Sequence, residues 1–262
     1  MKSVVTRGAL LLMMGLFAFP ALPVYSMDFI KVRSGTKKSI SNLLTSLDGK
    51  PWFQTDWVYH LESEGWTKSL LDIDDPVFIF CPVSGSESWF TVNQVSNTCI
   101  LYRRINGKTS IVNHPFPNHI SCISFLKPGR ADMASFAEVA IFENERFTLL
   151  PPVPTHSAVM KILSFGKEEL IALTIEFELF RYSNGQWTRI EKEHKIRDIC
   201  KGVDQTYFIT SGFIGQWSRF GSKILYRSGE LKGARKLALL PGNSLLITGD
   251  SGRIWQFRNG VH

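Results

Sequence analysis

Three histidines are the residues in this sequence whose type and placement could support metal chemistry. His119, His156 and His194 each fall in a polar segment just before an apolar run. Imidazole nitrogens suit Zn, Cu or Fe, so three such side chains meeting at one place could hold a metal ion. Histidine is also a common turn residue, and these positions equally fit solvated loops. The three histidines are therefore candidate metal ligands, and no metal is assigned to them.

Other polar and aromatic side chains lie in comparable segments between apolar runs. Ligands bind preferentially in concave regions where a few polar groups converge, and a shared rim of loops could form such a region. Together with the three histidines, the candidate ligand-binding residues of this rim are Asp56, Trp57, Asp75, Glu176 and Asp250. The alternative is that these loops are simply solvated.

No motif for nucleophilic catalysis is present. Ser84, Gly85 and Ser86 fall in a predicted hairpin, which lacks the strand-to-helix setting of a hydrolase nucleophile. There is also no loop that would cradle a phosphate group. No catalytic residue and no cofactor are predicted, and a binding protein is favoured over an enzyme.

The elements that must position these residues follow from an internal repeat. Apolar residues at offsets 0, +3 and +12 recur without a gap in five copies, which start at residues 40, 77, 159, 196 and 234. A sixth copy starts at residue 120. There the segment 128–135, PGRADMAS, is interpreted as an insertion ahead of a second strand near residues 136–141. The six starts are therefore about 40 residues apart, and a repeat of this length indicates a repeat architecture.

Each copy shows a second apolar segment that ends in Thr or Ser, then a third apolar segment with an aromatic residue, and then a tight turn. Asn106-Gly107 and Asn184-Gly185 are the clearest of these turns, and Asn-Gly supplies the positive φ angles that two-residue hairpins need. A fourth run follows. Short strands separated by hairpin turns predict an antiparallel meander of four strands per copy.

Six such units predict an all-β fold, a six-bladed β-propeller of four-stranded antiparallel blades, because a single meander cannot bury both faces alone. The last copy lacks a fourth strand. Residues 27–33 are expected to supply it and to close the ring, which removes an exposed sheet edge. Residues 27–262 are therefore predicted to form one domain, expected to be monomeric. A linear array and a β-sandwich are the alternatives.

The N-terminus has the pattern of a secretory signal peptide. Lys2 and Arg7 precede an apolar run over residues 8–19, and Ser26 precedes the expected mature start at Met27. In a helix this run would rise about 18 Å, which is short of a hydrocarbon core of about 30 Å. The prediction is a cleaved signal over residues 1–26 and an exported protein, periplasmic or extracellular, with no transmembrane span in the mature chain.

Charge and cysteine content narrow the class of partner. The chain has 30 basic and 23 acidic residues. The basic residues are scattered along the chain, which favours ordinary solubility, with a preference for anionic partners, over dedicated nucleic-acid binding. The four cysteines, Cys81, Cys99, Cys122 and Cys200, match no metal motif and could pair in three ways, but free or partly paired thiols are favoured.

The repeats resemble the propeller repeats of periplasmic sensor regions in two-component regulators. The closest copies are residues 40–66 and 234–260. The run Thr248-Gly249-Asp250-Ser251-Gly252 is also similar to BNR-like and photosystem-assembly-type propellers. This run has the spacing of a sialidase Asp-box, but it falls between the second and third strands and is interpreted as a turn. The resemblance implies architecture and not activity, since propellers host unrelated functions.

The leading functional hypothesis is an exported binding module that recognises an envelope or extracellular protein or peptide, or a glycan, on a propeller face. The alternatives are a sensor-like module for a small molecule or glycan, and a lyase or hydrolase with its site at the mouth of the central channel.

Overall fold

The structure is a computed structural model of the chain. It describes residues 26–28, 41–55, 57–62, 65–69, 77–94, 98–166, 168–191, 194–202, 205–218, 221–250 and 253–258. The proposed signal segment lies outside these residues, apart from Ser26.

The chain is a six-bladed β-propeller. The described residues form six four-stranded antiparallel sheets. In five of them consecutive strands pair in chain order, and the sixth joins the last three strands of the chain to the first strand, β1 (Ser26–Asp28). The strands of the first three blades are β2 (Asn42–Thr45), β3 (Pro51–Gln54), β4 (Val58–Glu62), β5 (Gly65–Lys68), β6 (Val77–Pro82), β7 (Glu87–Asn93), β8 (Cys99–Ile105), β9 (Lys108–Val112), β10 (Cys122–Lys127), β11 (Arg130–Ser135), β12 (Glu138–Glu143) and β13 (Arg146–Leu149).

The remaining three blades repeat this plan. Their strands are β14 (Val159–Ser164), β15 (Leu170–Thr174), β16 (Leu179–Ser183), β17 (Gln186–Glu191), β18 (Asp198–Lys201), β19 (Thr206–Ile209), β20 (Phe213–Ser218), β21 (Gly221–Arg227), β22 (Ala234–Leu240), β23 (Ser244–Gly249) and β24 (Ile254–Arg258). The helices among the described residues are two short 3₁₀ turns, Gly229–Gly233 and Pro241–Asn243.

The hairpin turns have the backbone that their sequences require. Asn106 and Gly107 have φ angles of 49° and 81°, and Asn184 and Gly185 have 52° and 80°. These left-handed conformations suit Asn and Gly, and they connect β8 to β9 and β16 to β17 as two-residue turns. The predicted third and fourth strands are confirmed at these hairpins.

The interpretation of the third blade as carrying an insertion is wrong. Its second strand is β11, Arg130–Ser135, which lies inside the supposed insertion, and residues 138–143 form the third strand, β12. The offset of +12 from Ile120 falls on Asp132, where the other copies have an apolar residue. Asp132 is fully buried, so a charged residue occupies a core position and hides the repeat.

The last blade contains β22, β23, β24 and β1. Strand β1 pairs antiparallel with β24, with Met27 opposite Phe257. Residues 29–40, which link β1 to the first blade, lie outside the described residues. Closure of the ring by the mature N-terminus therefore stays a prediction.

The core lies between neighbouring blades. Trp89 of the second blade, for example, packs on Phe125 and Phe142 of the third, with ring centroids 5.7 and 5.1 Å apart. The separate apolar clusters join residues of adjacent sheets in the same way. This packing places the first strand of every blade around a central axis and the loops at two opposite faces. No helix in the described part of the chain is long and apolar enough to cross a membrane.

Candidate functional site

The loops between second and third strands share one face of the propeller with the loops that lead into each first strand. We call this the rim face. Of the sequence candidates, Trp57, Glu176 and Asp250 lie in the former loops, and His119, His156 and His194 lie in the latter, all of them exposed. Asp56 and Asp75 lie outside the described residues.

Two of the three histidines, His119 and His194, contact aromatic rings of the blades. The ring of His119 meets the ring of Phe78 edge-on, with centroids 5.9 Å apart, and His194 meets Phe213 in the same way at 5.0 Å. Within the described ranges, no group of three His, Cys, Asp or Glu side chains is placed to hold a metal ion. The geometry of the described residues thus offers no support for a metal centre at these histidines.

Asp250 follows β23 and precedes β24, so the Asp-box-like run does fall between the second and third strands. Its carboxylate forms an ion pair with Arg235, and its backbone carbonyl accepts a hydrogen bond from Arg253 N at 3.4 Å. These are the contacts of a turn that anchors itself to the neighbouring strand.

The rim face carries large apolar side chains, of which only Trp57 is among the residues predicted from the sequence. We call Trp57, Phe78, Phe136 and Ile175 the apolar rim. They are 56%, 48%, 52% and 57% exposed and come from four consecutive blades. Two of them, Phe136 and Ile175, come directly after the Ser or Thr that closes the second strand, and Trp57 lies two residues after Thr55. This recurring position is a sequence signal that could have found Phe136 and Ile175.

Backbone hydrogen bonds join two members of this rim through the intervening loop. Phe136 O accepts from Val159 N at 2.8 Å, and Ile175 N donates to Ala158 O at 2.9 Å. Phe136 and Ile175 therefore flank one segment, Ala158 and Val159, and lie in adjoining blades. Trp57 is covered on one face by Lys68 Nζ, 3.2 Å from its ring centroid, a cation–π contact.

The fifth and sixth blades give the rim face a basic sector. Arg197 Nη1 donates to the carbonyls of Lys232 and Ala234 at 2.7 and 2.9 Å, which fixes its side chain beside the loop. Lys195 and Lys232 are exposed in the same loops. The rim face thus combines an apolar arc with an arc that carries positive charge.

A central cavity of about 740 Å³ is the second candidate site. Its walls come from the first strands of the blades, from Ser41, Phe78 and Ser121 at the rim face to Gly202 and Gly242 near the opposite face. The cavity therefore follows the propeller axis along the length of these strands.

An ion pair crosses the blades at this cavity. Lys161 Nζ lies 2.9 Å from Asp198 Oδ1 and 3.0 Å from Asp198 Oδ2. Asp198 Oδ2 also accepts a hydrogen bond from Leu237 N at 2.7 Å. One buried carboxylate in the fifth blade therefore connects to the fourth and the sixth.

Three of the four thiols also line the cavity: Cys81, Cys122 and Cys200. All four cysteines are buried and free, with Cys81 Sγ donating to Ile123 O at 3.4 Å. Burial raises the pKa of Cys122 to about 12 and raises the pKa of Cys81 and Cys200 as well. These thiols are protonated at neutral pH and contribute no negative charge.

Sequence reasoning missed the charged residues of the cavity, although the repeat offers a signal for them. The offset of +2 in the six copies falls on Asn42, Ile79, Cys122, Lys161, Asp198 and Lys236. Lys161 and Lys236 line the cavity, and Asp198 is buried behind its wall against Lys161. Charged residues at one repeated offset would have indicated a cluster of charges near the axis.

Asp132, the buried acid of the third blade, should make stability depend on pH. Burial raises its pKa from an ordinary value of 3.8 to about 6, against the lowering effect of Arg130, whose Nη2 lies 3.6 Å away. The folded state therefore binds this proton more tightly than the unfolded state. The contribution of Asp132 is favourable below pH 4 and is lost as the pH rises through about 6.

We expect Asp132→Asn to remove this dependence. The free energy of unfolding of the wild type minus that of the variant should fall by about 2–3 kcal/mol between pH 4 and pH 7. Urea denaturation at four pH values measures it. A difference that stays constant across this range would contradict the assignment.

No protein-family model matches the chain, and no curated protein matches its sequence at a significant level. Solved structures do match. Virginiamycin B lyase from Staphylococcus aureus is 13% identical over 90% of this chain and 99% of the lyase, with a TM-score of 0.60. The extracellular domain of the hybrid two-component system protein BT4673 from B. thetaiotaomicron is 13% identical over 89% of this chain and 40% of that one, with a TM-score of 0.58.

The protein YCF48, solved bound to D1 peptide, is 14% identical over 94% of this chain and 86% of its own, with a TM-score of 0.57. At these identities the likeness shows the fold alone. The predicted resemblance to two-component-system and related propellers is confirmed. The neighbours include a lyase, a two-component-system extracellular domain and a peptide-bound protein, so shared architecture does not select one activity.

Proposed function

We propose that this protein is a binding module that recognises a polypeptide segment on its rim face. The apolar rim carries this proposal, because four large apolar side chains stand about half exposed on one face of consecutive blades. Aromatic anchors of this kind dominate the binding energy of protein interfaces. Apolar side chains exposed together on one face are typical of interaction sites.

The chemistry of the face suggests the kind of segment. The apolar rim suits large apolar side chains, and Lys195, Arg197 and Lys232 in the neighbouring arc suit carboxylates. The preferred ligand would be an extended peptide with apolar residues and acidic groups or a free C-terminus. The binding of D1 peptide by YCF48, a protein of similar fold, supports the proposal by analogy.

The proposed setting is the cell envelope or the extracellular space. The signal-like pattern of residues 1–26 and the extracellular location of the BT4673 domain support it. N-terminal sequencing of the exported protein should find Met27 first. Retention of residues 1–26 would overturn this part of the proposal.

Peptide display tests the recognition itself. Peptides selected on the purified protein should be rich in apolar and acidic residues. The double variant Phe136→Asn, Ile175→Ser should bind them roughly tenfold more weakly or worse, as measured by fluorescence anisotropy. Asn is chosen because Phe136 has a φ angle of 53°, which Asn tolerates well.

Leu47→Ser is the matched control. Leu47 is 43% exposed but lies in the turn between β2 and β3, on the face opposite the rim. Its replacement should leave peptide affinity unchanged. Equal affinity of the rim variant and the control would count against a rim site.

A further inference from the structure

We propose that the central cavity binds a small organic anion with an apolar body, and that Lys236 holds its anionic group. This site is separate from the peptide site proposed on the rim face. The proposal rests on the lysines of the cavity wall, on the acidic residues that neutralise two of them, and on the apolar surface of the rest of the wall.

The charged side chains on the cavity wall are all lysines. Among the residues that line it in the described part of the chain, Lys161, Lys201 and Lys236 are charged, and none is Asp, Glu, Arg or His. The three lysines come from the first strands of the fourth, fifth and sixth blades. A cavity wall whose charges are all positive attracts an anion into the cavity.

Two buried acids lie behind the wall, which leaves one lysine in excess. Asp198 is engaged by Lys161 through both carboxylate oxygens. Asp132 acts electrostatically on Lys201. Asp198 also acts electrostatically on Lys236, but the Lys236 ammonium forms no hydrogen bond or ion pair with a described residue.

The environment of Lys236 is costly for an unpartnered ammonium. Burial is the main influence on this side chain, and it lowers the pKa of Lys236 despite the nearby Asp198. Lys236 is partly buried, and a partly desolvated charge without a partner is unfavourable, so a bound anion would supply that partner. A cation kept in such a place is typical of a ligand site rather than of a structural core.

The rest of the wall selects an organic anion over an inorganic one. Ile79, Ile123, Met160, Leu163 and Leu239 contribute apolar surface, and the thiols beside them are protonated. The volume of about 740 Å³ lies within the range of small-molecule sites. A ligand with its carboxylate at Lys236 and its hydrocarbon body along this wall would match both the positive charge and the apolar surface.

Octanoate, 1-octanol and inorganic phosphate are the probes for this site. Calorimetry with the purified protein should show saturable binding of octanoate and a rise in Tm with its concentration. Octanol, which has the same body without the charge, and phosphate, which has charge without the body, should each bind at least about tenfold more weakly. No saturable binding of octanoate, or equal binding of octanol, would overturn the proposal.

Lys236→Met supplies the decisive comparison. The variant should bind octanoate at least about tenfold more weakly and yet have a higher Tm than the wild type without ligand, because an unpaired, partly desolvated charge is removed. Lys236→Arg keeps the charge and should retain most of the affinity. Unchanged octanoate affinity in Lys236→Met would overturn the role of this lysine.

Lys108→Met is the control for net charge, since Lys108 is exposed at the hairpin between β8 and β9, outside both proposed sites. It should leave octanoate affinity within about twofold of the wild type. The rim variant Phe136→Asn, Ile175→Ser should likewise leave octanoate binding intact. Loss of peptide binding with retention of octanoate binding, or the reverse, tells the two proposals apart.

Discussion

Trp89→Ala should reduce the free energy of unfolding by about 3–5 kcal/mol, because it removes the largest fully buried side chain between the second and third blades. The indole packs on Phe125 and Phe142, and its Nε1 donates to Glu87 Oε1 at 3.0 Å. The cavity left behind cannot be filled without moving a neighbouring sheet. Thermal unfolding followed by circular dichroism should show a Tm lower by roughly 10 °C.

Trp57→Ala is the matched control, because Trp57 is 56% exposed and touches Lys68 on one face. Its replacement should change stability by about 1 kcal/mol or less. It should, however, weaken peptide binding if the rim proposal holds. Comparable losses of stability in the two tryptophan variants would contradict the assignment of Trp89 to the inter-blade core.

Asp198→Asn should destabilise the protein by about 3–5 kcal/mol, because breaking one side of a buried ion pair leaves the other charge uncompensated. Asp198 is fully buried and Lys161 is 14% exposed. Asn can still accept from Leu237 N, but it cannot neutralise Lys161. Urea denaturation at pH 7 measures the loss.

The double variant Lys161→Met, Asp198→Asn should recover more than half of this loss, since it removes the stranded charge together with its partner. Glu169→Gln is the exposed comparison. Its partner Arg181 is 47% exposed and Glu169 is 42% exposed, so that pair should contribute only about 0–1 kcal/mol. A loss in Asp198→Asn no larger than in Glu169→Gln would show that the cavity pair is not structurally important.

Lys161, Asp198 and Lys236 occupy the same repeat offset in consecutive blades, so stability and ligand binding should be linked there. Asp198 holds Lys161 and the backbone of the sixth blade, which leaves Lys236 available to an external anion. Replacing Asp198 should therefore alter octanoate binding as well as folding. Replacing Trp89, which lies in the core between blades, should alter folding alone.

The amino-acid sequence by itself determined the architecture. Offsets of 0, +3 and +12 locate buried residues such as Ile162 and Phe208, and Asn-Gly pairs locate the turns. These signals are local, because strand alternation and positive φ angles depend on residues close together in the chain. The third blade was misread because Asp132 holds a charge where the pattern expects an apolar residue.

The tertiary structure decided which polar residues come together. His119 and His194 lie against Phe78 and Phe213 in different blades, whereas Lys161, Asp198 and Leu237 meet across three blades. Contacts of this kind depend on the rotation of one blade relative to the next around the axis. Local sequence carries no record of that rotation, so only the assembled ring shows which side chains face one another.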